Sequence, residues 1–185
     1  MNEQNFYDEL NEDEKIVFNK YKSNTDRFCY NLNDNLRNKT PNREQIIDIE
    51  ILDGIINKYQ NEERIILHRA TVENLVLPFI EDNIYRNQEY LSTSTDLESI
   101  ETHFTNNVRP TYIEFDCAAG TFMAPMQSNP MFGDLEEEAL LGRNLQFEII
   151  ENRLTDNNDE ITSIMGRFYG QNVESLRIIK AKTIE

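Results

Sequence analysis

Apolar residues in the first third of the chain recur at helix-like intervals. Leu10, Ile16, Val17 and Tyr21 sit among charges in this way. Asn11, just ahead of Glu12-Asp13-Glu14, offers a capping side chain and acids for a first helical turn. Phe28, Leu32 and Leu36 form one stripe and predict a second helix over 26–37, which Thr40-Pro41-Asn42 ends. A third helix is predicted over 44–59. Its Ile46, Ile47, Ile49, Ile51, Leu52, Ile55 and Ile56 cover a wide arc, so it should be well buried. The period then changes. Strands are predicted over 64–69, 89–95, 111–116, 137–141, 145–150 and 173–182. Residues 73–82 read as a short helix near Pro78 or as irregular chain, and 96–104 as a short helix. Residues 121–134, with two prolines, a glycine and three methionines, read as a long loop with a strand start. Residues 152–160 read as a polar turn. Helices first and strands afterwards argue for an α+β class rather than a doubly wound sheet. One domain over 1–185 is expected, mainly helical in 1–60 and β-rich in 61–185.

Composition narrows the classes. The chain is 38% hydrophobic, lean but sufficient for a core. No apolar run approaches the roughly 20 residues of a membrane span. The start, Met1-Asn2-Glu3-Gln4-Asn5, has neither the basic nor the apolar part of a secretory signal. The expected location is the cytoplasm, or outside by a route that needs no such signal. The 34 acidic residues against 18 basic ones give a net charge of -16. Such a surface repels phosphate backbones, so nucleic acid is a disfavoured partner, whereas an acidic rim attracts a basic protein. Cys29 and Cys117 lie far apart, show no paired spacing and read as buried free thiols. With only His68 and His103 and no ligand spacing, no metal is expected. Neither glycine-rich nucleotide fingerprint is present.

The chemistry lies in short pieces in a fixed order. Leu67-His68-Arg69-Ala70-Thr71 ends a predicted strand. Tyr90-Leu91-Ser92-Thr93-Ser94 follows. Then comes Leu135-Glu136-Glu137-Glu138-Ala139-Leu140-Leu141. Upstream, Leu32-Asn33-Asp34-Asn35-Leu36-Arg37 lies on the second helix. Alone, each piece is weak: Glu12-Asp13-Glu14 is another acid pair, and hydroxyl triplets are common in turns. In this order, over about 21–150, they resemble the R-S-E class of mono-ADP-ribosyltransferases. That class carries aromatic-Arg-Gly, then Ser-Thr-Ser, then Glu-x-Glu before an apolar strand. The chain departs from it at His68 and Ala70, where the family usually has Tyr and Gly. Ala70 is small enough to keep a close ligand approach.

The resemblance implies a fold of two small, packed, mainly antiparallel sheets forming an NAD cleft, with N-terminal helices at one side. It implies NAD as substrate and ADP-ribose as the group transferred. Glu138 would bond the nicotinamide-ribose 2′-hydroxyl, and Glu136 would hold the acceptor. Arg69 and Arg37 would bind the phosphates. Ser92 would fix the Glu138 rotamer, and Thr93 and Ser94 would shape the nicotinamide pocket, with His68 and Ala70 beside Arg69. The 96–109 stretch would close over the nicotinamide. The 120–135 loop, with Met123, Met126, Met131 and Phe132, would recognise the target. On a strand, Glu136 and Glu138 project to one face about 7 Å apart. Two like charges so close are costly unless positive charge develops between them. Glu at position 136 points to a protein arginine as acceptor. Alternatives are a nucleic-acid base, a small guanidine, water, or a partner bound without turnover. A toxin of this kind acting in its own cytoplasm would need an immunity partner.

Overall fold

The computed structural model describes residues 5–104, 109–129 and 137–184. Helix α1 spans Glu12–Ser23 and opens with a reciprocal cap. The Asn11 side chain accepts from the Glu14 amide, while the Glu14 carboxylate accepts from the Asn11 amide. Helix α2 spans Phe28–Asn38, beginning two residues later than the apolar stripe suggested. Asp26 and Arg27 lie in the left-handed region and break the turn there. Helix α3 spans Arg43–Ile56, with a second reciprocal cap from Asn42 and Gln45. It buries Ile49, Leu52, Ile55 and Ile56, but Ile46 and Ile47 are exposed. The expectation of a well-buried helix therefore holds only for its second half, because α1 and the sheet cover less than the full apolar arc.

The strands are β1 (Ile65–Val72), β2 (Ile80–Glu81), β3 (Ile84–Arg86), β4 (Leu91–Ser94), β5 (Pro110–Cys117), β6 (Met123–Pro125), β7 (Glu138–Leu141), β8 (Gln146–Thr155) and β9 (Leu176–Thr183). Their hydrogen-bonded order is β2-β3-β8-β9-β5-β1-β4-β7-β6. Among the described residues, only the β5–β9 pairing is parallel. The whole order hinges at β1–β4, where the register contains one residue pair, His68 with Ser94. Around this join the chain folds into a six-stranded limb and a three-stranded limb. Leu67, Phe115, Phe147 and Ile179 from the first share one core cluster with Leu91, Met123, Ala139 and Leu141 from the second. These two packed limbs give the α+β architecture that the order of elements suggested.

The helices close a second cluster. Phe18, Tyr21, Leu32, Leu52 and Ile55 pack with Tyr90, Met126 and Leu140. The three-stranded limb is thus held between α1–α3 on one side and the six-stranded limb on the other.

Two expectations for the C-terminal third need correction. Strand β8 runs on through 152–155, paired from Asn152 with Ile179 to Thr155 with Leu176, where a polar turn was expected. A fourth helix, α4 (Asn158–Gly170), follows, capped by Asn157 and with Asp159 and Glu160 in its first turn. Ile161 and Met165 are its buried contacts against Ile100, Tyr112 and Ile178. The capping signal was legible at Asn157; the high polarity of 152–160 masked it.

Candidate active site

A cleft of about 610 Å³ opens between α1, α2, the ends of β1 and β4, the 3₁₀ turn Glu98–His103 and the start of β7. It lies within the roughly 300–1,000 Å³ common for small-molecule sites. Arg37, Arg69, Ala70, Ser92, Thr93, Ser94 and Glu138 all line it. Four elements, far apart in the sequence, bring these groups together.

Each is placed by a local cause. Asn33 on α2 reaches β4 through its amide: Nδ2 donates to the Tyr90 carbonyl, and Oδ1 accepts from the Tyr90 amide, both at 3.2 Å. One turn further on, Arg37 is thereby set against Glu89, and its Nη1 donates to Glu89 Oε2. Arg69, on β1, donates from Nη1 to the Ser92 carbonyl at 2.7 Å and lies 3.5 Å from Glu89 Oε1 through Nη2. Glu89 is 2% exposed. One buried carboxylate thus orients two guanidinium groups. Asp34, on the same helix as Arg37, lies 3.6 Å from Arg37 Nη2, so the two guanidinium groups facing the cleft have one buried and one exposed carboxylate beside them. The motif reading missed Glu89; the only signal was its place one residue before the aromatic of the hydroxyl motif.

On β4, the Thr93 hydroxyl donates to the Ala139 carbonyl at 2.6 Å and ties β4 to β7. Ser94 Oγ accepts from the Asp96 amide at 3.0 Å and turns the chain out of the strand. Glu138 is the first residue of β7 and lies opposite Ser94 in the register. Glu138 Oε2 accepts from Lys22 Nζ at 2.6 Å, and Ser92 and the buried Tyr21 line the same cleft. Lys22 and Tyr21, the last turn of α1, were not singled out by motif.

Glu136 lies outside the described residues, as do Met131 and Phe132. Strand β7 begins at Glu138, and Glu137 before it has φ 40°. Glu137 turns toward Thr95, whose hydroxyl donates to its carboxylate at 2.8 Å. Met123 and Met126 are buried core residues rather than part of a recognition surface. His68 is not among the cleft-lining residues. Its ring stacks on Tyr112 at 5.9 Å, Nδ1 lies 2.7 Å from the Tyr112 hydroxyl, and burial pushes its pKa down. Of the two thiols, Cys117 is buried, but Cys29 lines the cleft. Burial, and then the Glu138 charge, push the Cys29 thiol up to about 11. From the expected closing stretch, Ser99, Ile100, Thr102 and His103 form one wall.

The architecture and its cleft define a class, the ADP-ribosyltransferase fold. No protein-family model and no curated protein sequence matches the chain. Among solved structures, Plx2a, an ADP-ribosyltransferase toxin from Paenibacillus larvae, is similar with a TM-score of 0.67 and 16% identity. The match covers 99% of this chain and 91% of that one. The ADP-ribosylating toxin BECa of Clostridium perfringens, solved with NADH, has a TM-score of 0.70 at 14% identity, over 97% of this chain and 45% of that one. Vis, an ADP-ribosyltransferase toxin from Vibrio splendidus, is similar in its complex with agmatine, with a TM-score of 0.65 and 16% identity, over 98% and 82%. The chain has the fold of these toxins.

Proposed function

We propose that the protein is an NAD-dependent mono-ADP-ribosyltransferase, with protein arginine as acceptor. The observation that carries this reading is the convergence of Glu138, Arg37 and Arg69 on one cleft in this fold. The two arginines, held by Glu89, present guanidinium donors that suit a diphosphate. Glu138 faces the same space and would stand by the nicotinamide ribose. Cleavage of the ribosyl–nicotinamide bond sends the bonding pair to the ring nitrogen, releases neutral nicotinamide and leaves an oxocarbenium-like ribose. A fixed carboxylate there stabilises the transition state more than the ground state.

Attack by a guanidine nitrogen forms the new bond, and the proton released passes to a carboxylate, the role proposed for Glu136. The fold's likeness to a toxin solved with NADH supports the dinucleotide, and its likeness to one solved with agmatine, itself a guanidine, supports the acceptor. The acidic surface favours a basic protein target, and delivery into another cell, or an immunity partner at home, would follow from such an activity.

The test is incubation of the protein and its Glu138→Ala variant with NAD and a cell lysate, followed by mass spectrometry of the lysate proteins. ADP-ribose on arginine, absent with Glu138→Ala, is the expected result. Free ADP-ribose alone would make water the acceptor. No NAD turnover by the unaltered protein would sink the proposal.

A further inference from the structure

Lys22 is an unusual presence in this cleft. Its Nζ lies 2.6 Å from Glu138 Oε2, and the two side chains are 6% and 12% exposed. A lysine in the last turn of a helix is ordinarily a solvent-facing charge that complements the helix dipole. Lys20, in the same turn, has that character, with a side chain 44% exposed beside Asp48. Lys22 instead points inward to a carboxylate on another element. Fold stability gives little reason for this, because the cost of removing two charges from water offsets most of their attraction.

Resting on the function proposed above, we infer that Lys22 is a positioning residue that fixes the Glu138 carboxylate for reaction. The backbone that carries it is anchored. The neighbouring Tyr21 is buried, packs edge-on to Tyr90 and Phe28, and accepts a hydrogen bond from Asn33. Lys22 therefore holds Glu138 from a rigid helix, while β7 holds it from the other side. An ammonium is a compact point donor and engages the Oε2 oxygen, leaving Oε1 for the ribose hydroxyl; a guanidinium fork would tend to take both.

A cation beside an oxocarbenium opposes catalysis by its charge, and its hold on the carboxylate has to outweigh that effect. Oxidised NAD already carries a positive nicotinamide ring. When the bond breaks, that charge moves to the ribose and the ring leaves neutral. As that charge nears the ribose it also nears Lys22, so the repulsion offsets part of the stabilisation that Glu138 gives.

The experiment measures NAD turnover by the full chain with Lys22→Met, which keeps the length of the stem, and with Lys22→Arg. Thermal melting confirms folding of each. In Lys22→Met, kcat should fall tenfold or more while KM for NAD stays within threefold. Lys22→Arg retains the charge and should fold like the parent, yet lose kcat as well, because its fork covers both oxygens. Unchanged or raised kcat in Lys22→Met overturns the inference, and so does a change confined to KM. If Lys22→Met does not fold, the arginine variant decides: full kcat there overturns the inference, and a loss supports it. An unaltered protein that does not turn over NAD removes the proposed function, and this inference with it. Active parent protein with equally active variants removes this inference alone.

Discussion

Glu89 and Glu138 are both acids of the cleft region, each paired with a cation, and their substitutions should fail differently. Glu89 has guanidinium partners on both oxygens and is almost wholly enclosed. Glu89→Ala leaves Arg69 without its carboxylate and Arg37 with only the exposed Asp34, and breaking a buried pair in this way costs about 3–5 kcal/mol. The expected outcome is a lower midpoint in urea denaturation together with a raised KM for NAD. Glu138→Ala should abolish transfer. It also removes this carboxylate from Lys22, whose side chain is 6% exposed, so a loss of stability accompanies it, smaller than in Glu89→Ala, which takes a carboxylate from two arginines. Glu136→Gln should lose transfer to arginine while some NAD hydrolysis persists, read as free nicotinamide without labelled protein. Equal loss of nicotinamide release in the two single variants would contradict the division of labour between the acids.

At the scale of elements, α4 packs against the wall of the cleft. Gly166 lies inside α4 with φ 72°, and the Glu101 carboxylate fills the space where a Cβ would stand, with Oε2 2.0 Å from that position. Glu101 belongs to the same turn as Ser99, Ile100, Thr102 and His103, which line the cleft. Ile100 and Phe104 fasten this turn to Ile161 and Met165. Gly166→Ala should cost about 1–3 kcal/mol from the positive-φ backbone, with ψ 155°, alone. The flexible Glu101 carboxylate can swing aside, so stability should fall with little change in NAD affinity. A calorimetric titration with NAD beside a denaturation curve checks both, and a large fall in affinity would show that the turn moves with α4. The joint between α1 and α2 is a second special segment, with Asn24, Asp26 and Arg27 all left-handed. It lets the chain turn between the two helices, and Lys22 and Arg37 both reach one cleft.

For the molecule as a whole, pH dependence follows from its buried and paired groups. Burial raises the Tyr21, Tyr85, Tyr90 and Tyr112 hydroxyls above their ordinary value of 10.0. The unfolded chain ionises near that value and the folded chain does not. Stability should therefore be constant below about pH 10 on their account and fall as pH rises beyond it. On the acid side, Arg153 holds Glu160 down at about 2, and Arg64 holds Asp116 below its ordinary range. Burial raises Glu73, but Arg177 and Arg109 outweigh it and leave it lowered. Stability from these carboxylates is present above about pH 4.5 and is lost as pH falls through their folded values. Thermal melts across pH should show both edges; a flat profile between pH 9 and 12 would mean that the tyrosines are hydrated. Among the described residues, no helix is long and apolar enough to cross a membrane.

The sequence by itself determined the kinds of element and the groups that carry chemistry. Periodicity and capping residues act within a few positions, so α1 to α3 and most strands were legible, and the ordered Arg69, Ser92 and Glu138 pieces pointed to a fold that the structure has. Where local signals conflicted, it failed: the polar 152–160 stretch hid the end of β8 and the start of α4. Only the tertiary structure decided which charges meet. Glu89 between Arg37 and Arg69, and Lys22 on Glu138, join residues 20 to 116 positions apart. No periodicity carries such pairings, because they arise when helices and sheet limbs pack and enclose the same small volume.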